Sequence, residues 1–112
     1  MDHPGGPEAG CALCGRAGLP LTAHHLIPRA LHRRKWVRRR FGSEEPKRRV
    51  VDLCHPCHRH IHATLTEAEL ARSYNTVADL LAHPEIRRFV DWIATKPAGF
   101  HARSRTTRRK RG

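Results

Sequence analysis

Two cysteine pairs of equal spacing, Cys11-x-x-Cys14 and Cys54-x-x-Cys57, limit more than any other feature what this chain can fold into. Each pair supplies two thiolates from one tight turn, and two such knuckles complete a single tetrahedral zinc site. The pairs are separated by 39 residues, so closing the site brings the two ends of that long segment together. Two disulfides are the alternative. A disulfide-stapled secreted domain ordinarily carries a signal peptide, and the opening "MDHPGGPEAG" has no apolar stretch of that kind, so zinc is the expectation. The chain also needs a staple. With 112 residues, 38% hydrophobic and only 5% aromatic, it has little material for a large apolar core.

No run approaches the roughly 18 apolar residues of a membrane span, and a soluble, cytoplasmic protein without membrane contact is expected. The formal net charge of +12 points to a polyanion as partner, and Arg far outnumbers Lys. Forked guanidinium donors suit phosphate oxygens. Charge alone does not separate nucleic-acid binding from a solvated surface or a structural role in a nucleoprotein particle.

Residues 1–10, rich in Pro and Gly, are expected to be disordered, and residues 98–112 to form a flexible basic tail. Residues 101–112 alone hold six Arg or Lys and no acid, a composition that adds sequence-independent affinity for phosphates. The body between, 11–97, reads as one domain with a Cys/His-rich part, 11–63, and a helical part, 64–96. Thr66 and Glu69 form the pattern of a capping box, with Leu65 and Leu70 placed as a hydrophobic staple. "NTVADLLA" predicts a short helix. Another starts at Pro84, placing Ile86, Phe89, Val90 and Ile93 on one apolar stripe that reads as core.

The stretch 29–49, "RALHRRKWVRRRFGSEEPKRR", carries ten basic residues against two acidic ones, interrupted by Trp36 and Phe41. It reads equally as a solvated charged loop or short helix, or as a nucleic-acid-contacting segment in which Arg29, Arg33, Arg34, Lys35, Arg38 and Arg49 meet phosphates.

"LCHPCHRHIHATL" places four histidines around the second knuckle. A helix starting there puts His58 and His62 four residues apart on one face, while His60 lies about 200° round from His58 and His55 is also left over. Upstream, Leu21 to Ile27 reads as a short strand. Its neighbours His24 and His25 then face opposite ways, so only one of them can join His58 and His62 as a third metal ligand. The other stays free beside the metal as a proton acceptor. Spacing alone does not choose between them.

Taken together, "CALC", "LTAHHLIPR" and "VVDLCHPCHRHIH" resemble the HNH nucleases, the ββα-metal class, in the form that carries two C-x-x-C zinc knuckles. "LTEAELARSYNT" and "HPEIRRFVDWI" are similar to a bacterial subgroup of that family, and the likeness covers about residues 11–100. It implies an α+β fold, with a small zinc-stabilised ββα-metal core followed by C-terminal helices. It also implies a metal-dependent endonuclease that hydrolyses DNA phosphodiesters. His24, His58 and His62 would hold the catalytic divalent metal (Mg2+, Mn2+, Ni2+, Co2+ or Zn2+), and His25 would be the general base. Cys11, Cys14, Cys54 and Cys57 would hold structural Zn2+. DNA is the expected partner, no small-molecule cofactor is called for, and a monomer is expected. One departure stands out. The central Asn of the family pattern, which braces the loop and orients the base, falls on Arg49 here. Arg49 itself or nearby Asp52 would have to take over that role, or activity would be reduced; Asn75 lies beyond the motif and is not assigned to it. A zinc-containing module that binds nucleic acid with weak or no cleavage is the alternative.

Overall fold

The computed structural model describes residues 10–100; the expected tail from 101 onward and residues 1–9 lie outside the described residues. The fold is α+β. Strand β1 (Leu21–His25) pairs antiparallel with β2 (Val50–Cys54), in a register that sets Leu21 opposite Cys54, His24 opposite Val51 and His25 opposite Val50. Among the described residues six α-helices accompany the sheet: α1 (Lys35–Phe41) and α2 (Glu45–Arg48) between the strands, then α3 (His55–Thr64), α4 (Glu67–Ser73), α5 (Val77–Ala82) and α6 (Pro84–Ile93). None is long and apolar enough to cross a membrane.

The strand is two residues shorter than the alternation suggests. Leu26 and Ile27 are both buried, which a continuing strand would not allow for consecutive side chains. The chain turns inward there instead, ahead of Pro28, and the Leu26 amide donates to the Arg49 carbonyl at 2.8 Å. α3 begins inside the second knuckle, directly after Cys54, with Pro56 in its first turn, where a missing N–H is harmless. One face of α3 packs its Cys57, Ile61 and Thr64 inward.

The helical part follows its local signals. The Thr66 hydroxyl accepts from the Glu69 amide at 3.1 Å, while the Glu69 carboxylate accepts from the Thr66 amide at 2.8 Å. Leu65 and Leu70, the expected staple, are both buried in the main core. Ile86, Val90 and Ile93 of α6 are buried as expected, and Phe89 is partly so. At the start of α6, His83 serves as N-cap, its Nδ1 accepting from the Glu85 amide at 3.1 Å.

Two apolar clusters result. The larger joins the knuckles, β2, α3 and the C-terminal helices around Leu53, Ile61, Leu70 and Ile86. A smaller one holds Ile27, Leu31, Val37 and Ala71, with Trp36 and Phe41 against it. The basic segment is therefore anchored by an apolar underside, and its structure is short helices rather than a loop. The packed body runs slightly past both expected limits. Gly10 bridges to Ala17, and Phe100 packs against the larger core with its ring 5.6 Å from Trp92.

Candidate metal centres

The two knuckles meet at the edge of the sheet. Gly15, at φ 79°, lets the chain turn back after Cys14, so that the Cys11 amide donates to the Arg16 carbonyl. The Ala12 amide donates to the Asp52 carbonyl at 2.9 Å, tying the first knuckle to β2 and setting it beside Cys54 and Cys57. The four sulfurs lie within 4.8 Å of one another and none is bridged to another. Cys14 Sγ and Cys54 Sγ are 3.8 Å apart. A tetrahedron with zinc–sulfur bonds of about 2.3 Å has edges of about 3.8 Å, whereas a disulfide needs about 2.05 Å. The cluster is thus positioned to hold one metal ion, and its dimensions and thiolate donors suit zinc.

Four thiolates around a divalent ion carry a surplus of negative charge. Buried Arg16 answers it, donating from Nη2 toward Cys54 Sγ at 3.5 Å and from Nη1 to the Pro97 carbonyl at 2.9 Å. The same side chain ties the knuckle to the end of the helical part. The sequence alone does not single out Arg16, because one arginine among so many carries no signal.

The second cluster forms across the interface of β1 and α3. His24 is buried on the strand face that meets α3, and its ring centroid lies 4.9 Å from His58 and 5.4 Å from His62. One ring nitrogen from each of the three falls within 4.8 Å of the others. His24 Nε2 is buried without a hydrogen-bond partner. Such an orphan costs about 1–3 kcal/mol unless something takes its lone pair, and a metal ion shared with His58 and His62 fits that need.

Thr22, two residues before His24 and on the same face of β1, sets the chemistry of His58. Its hydroxyl lies 3.2 Å from the Leu53 carbonyl and 2.8 Å from His58 Nδ1. The carbonyl can only accept, so the single hydroxyl proton goes there, and His58 Nδ1–H donates to the hydroxyl. That leaves His58 Nε2 as the free lone pair. Thr22→Val should therefore weaken the trio's metal affinity by about 10- to 100-fold, the usual worth of an outer partner, with Thr22→Ser restoring it. Calorimetric Ni2+ titration reads this, and an unchanged affinity in Thr22→Val would show that His58 needs no such fixing.

Burial, reinforced by the neighbouring histidines, lowers the His24 pKa to about 3 and that of His58 to about 4. Both stay neutral well below the ordinary value near 6.5, so protons compete poorly with a metal for them. Between pH 7.5 and 5.5 the Ni2+ affinity of the trio should therefore fall far less than the about thousandfold that three ordinary histidines would lose. Titrations at the two pH values decide it.

His25 faces the other side of the strand, half-buried, with its ring centroid 5.9 Å from that of His32. Burial, together with His32 and Arg29, lowers its pKa too, so it is neutral at pH 7. His32 is held in turn by a 2.6 Å contact from Nε2 to the Ile27 carbonyl, which requires Nε2–H. His60, expected to be a spare, is buried and stacks on Phe89 with centroids 4.1 Å apart and planes 8° off parallel. It is a packing residue between α3 and α6. His55 is exposed.

Among the residues expected to meet phosphates, Arg29, Arg33, Arg34, Lys35 and Arg38 lie on the segment 29–41 and are all exposed to solvent. Arg49 departs from that expectation, because its guanidinium is engaged inside the protein. Nε donates to Glu45 at 2.7 Å, and Nη1 donates to Asn75 Oδ1 at 2.8 Å and to the Asn75 carbonyl at 3.2 Å. Asn75 is buried and its Nδ2 donates to the Ala71 carbonyl. Arg49 thus ties α2 and the start of β2 to the end of α4, while its carbonyl holds Leu26, just beyond His25. Asn75, set aside on sequence grounds, is the residue that completes this brace. No local signal could have found it, since the two are 26 positions apart.

No protein-family model matches the chain, and no solved structure matches it at a significant level. Among curated proteins, "Uncharacterized protein YisB" of Bacillus subtilis (strain 168) is 41% identical over 87 residues, covering 78% of this chain and 75% of YisB. At that identity and coverage, this chain belongs to the same protein family as YisB.

Proposed function

We propose that this protein is a metal-dependent endonuclease of the HNH type, hydrolysing DNA phosphodiesters with His25 as general base. The observation that carries the reading is the division of the adjacent histidines. His24 joins His58 and His62 in a trio fit for an ion, and His25 is kept out of it, neutral and half-buried on the other face of the strand. A two-stranded antiparallel sheet leading directly into the helix that bears the remaining ligands is the arrangement that a ββα-metal site requires.

A divalent ion at the trio would supply positive charge for the phosphate and for the departing oxygen. The remaining work belongs to the chain. His24 and His25 are consecutive at the end of β1, and in this reading the phosphodiester lies across that strand end, with the ion on the His24 side and His25 on the other. His25 accepts the proton of the attacking water, for which it must be neutral, and burial, with His32 and Arg29 beside it, lowers its pKa in that direction. The Arg49–Asn75 brace fixes the strand end from which both histidines project.

Metal-dependent nicking of supercoiled plasmid tests the reading directly. Cleavage that needs added Mg2+, Mn2+, Ni2+ or Co2+ and stops with chelator supports it, and none with any of these ions would leave the protein a zinc-stabilised nucleic-acid-binding module. Arg49 in the place of the family's Asn is what favours that second reading. The exposed arginines offer a further check. Replacing Arg33, Arg34 and Arg38 together by Gln should lower the slope of log affinity against log salt by about 2 to 3, near 0.9 for each phosphate no longer neutralised, without abolishing cleavage. An unchanged slope in filter-binding titrations would take these residues out of the interface.

A further inference from the structure

Beside the trio lies an open cavity of about 260 Å³ lined by Thr22, His55, His58, Arg59 and His62. It is smaller than the roughly 300–1,000 Å³ pockets that enclose drug-sized molecules, and suits a single charged group. Two of its walls are His58 and His62 of the trio, so an ion held there borders this space. The other two helix residues complete a pattern. His55, His58, Arg59 and His62 are spaced i, i+3, i+4 and i+7, one continuous stripe of α3.

No carboxylate lines the cavity, and Arg59 is exposed with no ion-pair partner among the described residues. Arg49, Arg87 and Arg88 pair with acids and Arg16 turns to a sulfur and a carbonyl, whereas Arg33, Arg34 and Arg38 share with Arg59 the lack of an ion pair among the described residues; what sets Arg59 apart is its position. Arg59 combines an unpaired guanidinium with a place at the mouth of the metal trio. With no acidic group in its lining and the forked guanidinium of Arg59 at its edge, the cavity suits a tetrahedral oxyanion.

We infer that Arg59 and His55 form an oxyanion subsite beside the trio, holding a non-bridging oxygen of the phosphate group whose other oxygens face the ion. The assignment rests on the endonuclease reading for its substrate but not for its chemistry, since the same subsite takes inorganic phosphate. Arg59 is the main donor through its fork, and His55, one turn earlier, donates a single N–H.

The test uses the full, zinc-loaded chain with Mn2+ added at the trio and inorganic phosphate as probe. Phosphate bound next to Mn2+ broadens its 31P resonance, and the Mn2+ electron spin resonance signal reports occupancy independently. Wild-type protein should give saturable broadening. Arg59→Ala should weaken phosphate binding by about tenfold or more, as expected when one charge-assisted hydrogen bond is removed, with Arg59→Lys recovering part of it. Arg87→Ala, which removes a distant charge on α6, should leave it unchanged. If Arg59→Ala loses Mn2+, Arg59→Gln takes its place. Equal broadening in wild type and in the Arg59 variant with Mn2+ bound would overturn the subsite. A protein that binds phosphate in this Arg59-dependent way yet never nicks plasmid would sink the endonuclease reading and leave the subsite standing. Plasmid cleavage with phosphate binding indifferent to Arg59 would do the reverse.

Discussion

Cys54→Ser should leave the chain unfolded at zinc concentrations that saturate the wild type. Cys54 is fully buried, ends β2, caps the start of α3 and contributes one of four sulfurs to a cluster that also involves the first knuckle. Removing it therefore disconnects three parts of the fold at once. Structural zinc in small domains is worth about 10–16 kcal/mol of apparent binding free energy, comparable to or larger than the roughly 5–15 kcal/mol of net stability of a whole domain. The apolar core cannot make up the difference, because its larger side chains gather around the knuckles: Leu53, Ile61 and the cysteines themselves belong to one cluster. Elemental analysis after dialysis against a mild chelator should find about one tightly held zinc per wild-type chain, and far-UV circular dichroism should show the variant without its helices. A folded, zinc-free Cys54→Ser protein would mean that the core suffices and that the four sulfurs are incidental neighbours.

The second large effect separates His24 from His25. His25→Ala should retain the trio's ion and DNA affinity while cleavage falls by roughly 10²- to 10⁴-fold, the usual contribution of a positioned general base. His24→Ala should instead weaken metal binding, with activity partly recovered at high metal concentration. The reason is their opposite placement: His24 presents a buried, unpartnered Nε2 to His58 and His62, and His25 meets His32 on the other face. His60→Ala should leave metal affinity and cleavage nearly unchanged in the protein that folds, because its ring faces Phe89 and not the trio. Loss of the ion in His25→Ala with its retention in His24→Ala would reverse the assigned roles.

How much of the fold and of the site is legible in the sequence varies with the range of the interactions. The helices of the C-terminal part announce themselves through contacts three or four residues long: Thr66 with Glu69, Thr76 with Asp79, and the stripe of Ile86, Val90 and Ile93. The strand ends two residues earlier than its pattern, because Leu26 and Ile27 continue the apolar run locally while the interior takes both of them. His60 looks spare in the sequence because its partner, Phe89, comes from a helix far along the chain.

The sequence by itself narrowed the candidate metal ligands, leaving the choice between His24 and His25 to the structure. Equal C-x-x-C spacing, alternation along a strand and the i, i+4 relation on a helix are covalent and local geometry, and they mark the four cysteines, the helix pair His58 and His62, and the two adjacent candidates for third ligand without reference to packing. Only the tertiary structure decided what surrounds them. Arg16 reaches the sulfur cluster, Thr22 fixes His58, and Arg49 turns away from solvent to Asn75 and Glu45. Apart from the i, i+4 pair of Arg49 with Glu45, these interactions join residues far apart in the chain. Which of many arginines or threonines makes such an interaction depends on where β1, β2 and α3 bring the backbone together, and no local periodicity encodes that.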